Sequence, residues 1–326
     1  MARVLIVFTG GTISMRAEPE AGGVVPALSG EEILAYDPTL RRVADLEVVD
    51  FGRFPGPHMN PDRMFRLSQL LRHQLQRPEI DAAVVTHGTD TLEETAYITD
   101  LRHDSGKPVA FVGAMRNSSE LGFDGPANLR AGVRTVIDQG ARERGVFVVL
   151  NQLVHAASEA TKTDTQQMET FQSPVFGPLG YVDADRVVWA RALERRALIV
   201  GERIETRVEL LRMYAGFGSF MFDALRDAGV KGIVVEGTGR GNVPPEALAG
   251  LQRVLDAGIP VVLSTRCHHG RVLDTYAYEG SGRDLRKRGV WFGGRLPGHK
   301  ARIKLMAALG AADGLAEAKL LMEDDV

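Results

Sequence analysis

Residues 86–97 read Thr86-His87-Gly88-Thr89-Asp90-Thr91-Leu92-Glu93-Glu94-Thr95-Ala96-Tyr97, and the apolar run Ile80-Asp81-Ala82-Ala83-Val84-Val85 leads directly into them. The run has the composition of a buried strand, and Leu92, Ala96 and Thr99 then recur at helical spacing. A strand that gives way to a helix within a few residues is the repeating unit of an open α/β sheet, and ligands bind at the carboxyl edge of such sheets. Thr89 and Asp90 stand at that edge, beside the free N–H groups and partial positive charge of a helix N-terminus. The same residues permit a plainer reading. Asp90 with Glu93, or Thr91 with Glu94, has the spacing of a capping box, in which the acid only secures the helix start.

A second stretch has the same character. Val4–Phe8 reads as a buried strand and opens into Thr9-Gly10-Gly11-Thr12-Ile13-Ser14. Thr12 follows a glycine pair as Thr89 follows Gly88, and glycine at a strand exit lets backbone approach a ligand closely. The segment from Met15 to Pro26, rich in Gly, Pro, Glu and Ala, shows no periodicity and has the length of a lid loop. Ser29 is then placed to cap a short helix, and Leu46–Phe51 reads as the next strand. The loop Phe54-Pro55-Gly56-Pro57-His58-Met59-Asn60-Pro61 follows it, with Pro61 suited to the first turn of a helix over Asp62–Gln76. Beyond the opening stretch come a strand at Pro108–Val112, a helix from Asp124 to about Gln139 and a strand at Gly145–Leu150. This alternation predicts a parallel, doubly wound sheet. Residues 151–190 carry shorter β-like runs that extend it.

The expected organisation is a larger N-terminal α/β domain over 1–190, with a mainly parallel sheet between helices. A charged linker over 191–206 joins it to a smaller C-terminal α/β domain over 207–326. In the second domain, strands are expected at Val208–Met213, Gly232–Val235 and Pro260–Ser264, with helices at Ser219–Ala228, Pro244–Ala257, Gly298–Leu309 and Gly314–Met322. The chain's 326 residues suffice for two domains, and 44% hydrophobic with 25% charged residues is ordinary for a folded globular protein. A net charge of −3 argues against nucleic acid as the main partner. The single cysteine, Cys267, cannot close an intrachain disulfide. The first apolar run is too short for a signal peptide and no run has the length of a membrane span, so a cytoplasmic protein is expected.

Two hydroxyls, a carboxylate and outward-facing N–H groups are the parts needed to attack a carbonyl: nucleophile, orienting group and oxyanion donor. The hydroxyl also needs a proton acceptor. Lys162, in Thr161-Lys162-Thr163, is a candidate, although a lysine in a polar stretch is more often a solvated surface residue. A nucleotide site at Thr9-Gly10-Gly11-Thr12 lacks the third glycine of the dinucleotide fingerprint and the Gly-Lys-Ser/Thr of a phosphate loop. Cys267-His268-His269 has no partner pair at zinc-ligand spacing, so no metal is expected. His87 reads as structural, while His58 is placed to line a pocket.

Together these stretches resemble those of bacterial-type L-asparaginases. The resemblance is carried by Thr9-Gly10-Gly11-Thr12-Ile13 and by Thr86 through Ala96. Gly113-Ala114-Met115-Arg116, Asp124-Gly125-Pro126-Ala127-Asn128-Leu129, Thr161-Lys162-Thr163, Phe171 and Gly177-Pro178-Leu179-Gly180 support it in the family's order. It implies hydrolysis of the side-chain amide of L-asparagine to L-aspartate and ammonia, with no cofactor and with some glutaminase activity allowed. It further implies Thr12 as nucleophile on the mobile loop, and Thr89, Asp90 and Lys162 as a second triad. Asp90 would receive the substrate's α-amino group, and the Thr89 N–H would help to hold the oxyanion. The Ala114 carbonyl would accept from the leaving amide, while Gly11, Gly56, His58 and Gly88 would line the substrate pocket. Asn242 would reach into a neighbour's site within a homodimer or homotetramer.

Two departures from the family pattern stand out. No tyrosine lies between Ser14 and Leu28, where the family places one beside the nucleophile, and Tyr36 in a helical setting is a poor substitute. Gly56 stands where a serine usually binds the substrate α-carboxylate, with His58 two residues on. The acid that a neighbouring subunit often contributes has no clear counterpart; Glu279 is the nearest candidate. These departures keep open a non-catalytic amino-acid sensor. The amidase subunit of a tRNA-dependent amidotransferase is the other alternative, disfavoured because that relative carries an extra N-terminal domain whereas strand one here begins at residue 3.

Overall fold

A computed structural model describes residues 1–193 and 196–323. Contacts divide the chain into two units, Met1–Leu198 and Ile199–Val326. Within the expected linker, Glu194 and Arg195 lie outside the described residues. Arg191 is bonded to Glu159 and the Gly177 carbonyl, and Arg196 to Asp100, all in the first unit. The Glu205 N–H donates to the Met306 carbonyl in the second.

The first unit runs β1 (Arg3–Gly10), β2 (Met15–Glu18), β3 (Gly23–Pro26), α1 (Gly30–Ala35), β4 (Asp45–Phe54), α2 (Pro61–Leu75), β5 (Ala82–Thr86) and α3 (Leu92–Arg102). It continues with β6 (Val109–Val112), α4 (Gly125–Ile137), β7 (Val146–Leu150), β8 (Leu153–Ala156), β9 (Thr161–Lys162), β10 (Phe171–Gln172), β11 (Gly180–Asp183) and β12 (Arg186–Trp189). Its sheet has the order β12-β11-β8-β7-β6-β5-β1-β4. The five strands from β4 to β7 are parallel, and β8, β11 and β12 extend that sheet in antiparallel fashion.

The inner parallel strands β1, β5, β6 and β7 are apolar at nearly every position because helices cover both faces, whereas the edge strand β4 carries Asp45, Glu47, Asp50 and Arg53. Alternation still sorts their side chains. Val4, Ile6, Phe8 and Val84 join one core with Leu129 and Val133 of α4, while Leu5, Val7, Ala83 and Val85 join another with Leu67 and Leu71 of α2 and Ala96 of α3. Each fully buried leucine of that stripe contributes about 2 kcal/mol. Ser29 caps α1 in a full capping box with Glu32.

Met15–Pro26 departs from the expected irregular loop. It is an antiparallel hairpin, β2 against β3, pairing Arg16 with Val25 and Ala17 with Val24. A 3-10 turn at Pro19–Ala21 and Gly22 at φ 65° close it. Arg16, Ala17 and Val24 are exposed, so no hydrophobic alternation marks these strands in the sequence.

The second unit comprises β13 (Val208–Arg212), α5 (Phe220–Asp227), β14 (Gly232–Gly237), α6 (Pro245–Asp256), β15 (Val261–Thr265), α7 (Gly282–Arg288), β16 (Trp291–Phe292), α8 (Gly298–Ala311) and α9 (Leu315–Glu323). Its four strands are parallel in the order β13-β14-β15-β16. Phe222, Leu248, Leu251 and Leu285 from α5, α6 and α7 pack on the sheet in one cluster, and α8 packs on β13 and β14. Neither α7 nor β16 is expected from the sequence, being seven and two residues long.

Candidate active site

In chain order the parallel strands of the first unit are β1, β4, β5, β6 and β7, yet in space β1 lies between β4 and β5. The chain leaves β1 toward one edge and returns to the other side of it. A crevice opens at such a switch point, outside the carboxyl ends of the two central strands. Thr12 follows β1 and Thr89 follows β5, so both threonines stand at this edge.

Backbone contact holds the crevice loops together. A methyl group on Gly11 (φ 81°) would stand 2.3 Å from Cα and N of Gly88, and one on Gly88 would stand 2.7 Å from Cα of Gly56. No side chain fits between the three loops. β4 reaches the crevice through an irregularity in its pairing with β1: Phe8 faces Asp50 but Gly10 faces Phe54, and the Gly11 N–H donates to the Phe54 carbonyl at 2.9 Å. Such bulges re-aim a strand end. The Thr9 hydroxyl donates to the Thr86 carbonyl at 2.8 Å, tying β1 to β5, and the Thr91 hydroxyl donates to the Gly56 carbonyl at 2.8 Å.

Lys162 comes to the same place from a distant part of the sequence. Its Nζ lies 2.9 Å from Thr89 Oγ1 and 2.7 Å from Asp90 Oδ1. Thr89 is buried, the Lys162 side chain is 16% exposed and that of Asp90 56% exposed. The site therefore presents a solvent-facing carboxylate and keeps its hydroxyl–amine contact sheltered. Lys162 is carried by the short β9–β10 ladder, opposite Phe171, which is buried in the same cluster as Leu92 and Ala96.

Both expected capping boxes are absent. The N-cap of α3 is Thr91, with no side-chain cap hydrogen bond. Asp90 pairs with Lys162 instead, and buried Glu93 accepts from the Lys162 backbone N–H at 3.1 Å. A long-range partner has displaced the local one. Among the described residues the N–H groups of Gly88, Thr89 and Asp90 have no hydrogen-bond acceptor, and they remain as donors at the helix entrance.

Ala114 is fully buried in the loop after β6. That loop is held from α4: the Asp124 carboxylate accepts from the N–H groups of Met115 and Arg116 at 3.0 Å each, and Asn128 Nδ2 donates to the Gly113 carbonyl at 3.0 Å. In the sequence Asp124 figures as a helix start and Asn128 as part of a motif; in the structure both clamp this loop. Glu93 likewise has the spacing of a cap, yet it supports Lys162. Spacing gives no sign of either role, because each depends on a partner distant in sequence.

His87 is buried beneath the site, and its Nδ1 lies 2.8 Å from the Gly88 carbonyl oxygen. Burial lowers its pKa to about 4, opposed by that hydrogen bond. His58 is exposed on the 3-10 turn Gly56–His58, and its carbonyl accepts from Arg63. Gly56 is buried, and a methyl group there would stand 3.2 Å from Asp90 Cβ and 3.3 Å from its Oδ2. Tyr36 is half exposed and meets Phe123 edge-on at 5.3 Å. Asn242 lies in the second unit, in a turn after β14 where its N–H donates to the Thr238 carbonyl at 2.8 Å; Glu279 is exposed in the same unit. Among the described residues no group of three or more His, Cys, Asp or Glu is arranged to hold a metal ion, and no helix is long and apolar enough to cross a membrane.

Two family models match the chain, the asparaginase N-terminal domain over residues 3–195 and the glutaminase/asparaginase C-terminal domain over residues 207–322. The chain belongs to the bacterial-type asparaginase family. Within that family it is similar to the L-asparaginase of Bacillus licheniformis, at 35% identity over 95% of this chain and 96% of that one. It is also similar to a glutamyl-tRNA(Gln) amidotransferase subunit of Pyrococcus abyssi, at 31% identity over 99% of this chain and 75% of that protein. The crystal structure of a probable cytoplasmic L-asparaginase from Campylobacter jejuni superposes with a TM-score of 0.87 at 30% identity, covering 99% of each chain. This is the two-domain α/β architecture of asparaginases, and the protein is an enzyme of that family.

Proposed function

We propose that the protein hydrolyses the side-chain amide of L-asparagine through the two threonines of the crevice. The observation that supports this reading is the contact of Lys162 Nζ with both Thr89 Oγ1 and Asp90 Oδ1, next to the loop that carries Thr12. In this scheme the Thr12 hydroxyl attacks the amide carbon, and the oxygen that becomes negative is held by the Thr89 N–H. Ammonia leaves past the Ala114 carbonyl, giving an ester on Thr12 that water opens to aspartate. The Thr89 hydroxyl and Lys162 relay the proton that the water surrenders, with Asp90 balancing the lysine's charge and receiving the substrate's α-amino group. Gly11, Gly56, His58 and Gly88 line the pocket. Glutamine is one methylene longer, a difference worth about 1–3 kcal/mol in a fitted pocket, so some glutaminase activity belongs to the proposal. A second copy of the chain, in a homodimer or homotetramer, contributes Asn242, and the cytoplasm is the proposed compartment.

The test is a coupled ammonia assay on the purified protein with asparagine, glutamine and their D-forms, repeated with Thr89→Val and Lys162→Met. Turnover of L-asparagine is expected from the wild type, with kcat lower by about 10³-fold or more in either variant while the melting temperature is kept. Near-wild-type turnover in either variant would remove the second triad. Binding of aspartate without ammonia release from any amide would favour a sensor.

A further inference from the structure

His87 is not used in this scheme, yet it is the buried side chain in direct contact with the peptide that joins Gly88 to Thr89. A carbonyl oxygen can only accept, so Nδ1, 2.8 Å from the Gly88 oxygen, carries a proton. In the neutral ring Nε2 is then bare, and it has no partner among the described residues. The ring is 1% exposed, beside Phe111 at 6.1 Å between centroids, and its own backbone N–H donates to the Val112 carbonyl at 2.8 Å. The histidine is thus fixed at both ends of its reach, by β6 through its backbone and by Gly88 through its ring.

A trans peptide points its carbonyl and its N–H in opposite directions. With the Gly88 oxygen drawn onto the His87 ring, the Thr89 N–H must face away from that ring, and it is one of the donors without an acceptor at the helix entrance. Gly88 has no side chain to resist rotation of this peptide; its neighbours are the backbones of Gly11 and Gly56. A peptide flanked by glycine turns easily unless something holds it. We infer that His87 is a positioning residue, whose Nδ1–H pins the Gly88 carbonyl so that the Thr89 N–H is aimed at the oxygen that gains charge during amide cleavage. The inference rests on the two-threonine reading above. The buried setting, which keeps the ring neutral, agrees with a fixed rather than a switching role.

The experiment uses the geometry of the side-chain amides. Asparagine can place an N–H where His Nδ1 stands, whereas glutamine places one nearer Nε2. His87→Leu, His87→Asn and His87→Gln are each assayed with L-asparagine, with melting temperatures recorded. Loss of one oxyanion donor costs about 10²–10³ in kcat, so misaiming it is expected to cost tenfold or more. His87→Leu and His87→Gln should lose that factor in kcat with KM within about threefold, and His87→Asn should restore kcat to within a few-fold of wild type. Wild-type kcat in His87→Leu, or equal losses in the Asn and Gln variants, would overturn the inference. Should the leucine variant fail to fold, the Asn–Gln comparison alone decides. Thr89→Val assayed alongside keeps the backbone N–H and removes the hydroxyl. Its full activity would remove the Thr89–Lys162 reading, while its inactivity with an unaffected His87→Leu would remove only the role of His87.

Discussion

At the scale of single residues, the site depends on what is missing as much as on what is present. Gly11 holds φ 81° and has the Gly88 backbone 2.3 Å from where a methyl would go. Gly11→Ala therefore forces both an unfavourable dihedral and a clash with main chain. It should cost about 1–3 kcal/mol of stability and at least a hundredfold in kcat, read by urea unfolding and by the ammonia assay. A Gly11→Ala protein with normal turnover would show that the crevice needs no such contact. The glycines are legible in the sequence as places for close approach, but what they approach is not. Asp90 makes the same point differently. Its spacing to Glu93 fits a capping box, and nothing local contradicts it. The partner that takes Asp90 away from the helix, Lys162, is 72 residues on, and local rules cannot weigh a contact of that range.

At the scale of elements, the β2–β3 hairpin is gripped by the loop after β6. The Ser118 hydroxyl and N–H both donate to the Met15 carbonyl, at 2.9 and 3.1 Å, and the Ala17 N–H donates to Ser119 Oγ at 2.9 Å. Removing the latter with Ser119→Ala takes away about 1 kcal/mol of hydrogen bonding. The Ala17 amide should then exchange with solvent deuterium about fivefold faster. Amides of α4 should be unchanged; unaltered exchange at Ala17 would mean the serine does not hold the hairpin. Legibility follows burial here. Strands packed on both faces, such as β1, β5 and β7, announce themselves as apolar runs, and Ser29 with Glu32 announces the start of α1. The hairpin faces solvent and carries no such pattern, while α7 and β16 are too short for one.

For the molecule as a whole, the buried imidazoles of His87 and His103 tie stability to pH. Burial lowers the pKa of His87 and of His103 from 6.5 to about 4, and for His103 the Arg196 guanidinium adds to the effect. The folded state keeps both rings neutral at pH values where the unfolded chain takes up protons. Their contribution is full above pH 6.5 and is lost as pH falls toward 4, amounting to about 2 kcal/mol per ring by pH 5. Urea-unfolding free energies should be level from pH 8 to 7 and decline from 6.5 to 5. His103→Gln keeps a donor for the Lys107 carbonyl that His103 Nε2 now contacts at 2.8 Å, and it should make the decline shallower by about 2 kcal/mol at pH 5. An unchanged decline in that variant would assign the pH dependence elsewhere. The three-glycine contact, finally, bears on redesign. Loops that touch main chain to main chain leave no room for a side chain between them, so a library that varies residues 11 and 88 samples mostly broken proteins. On the proposed reading, changes in substrate preference are to be sought at exposed side chains, His58 first, where the scaffold leaves room for variation.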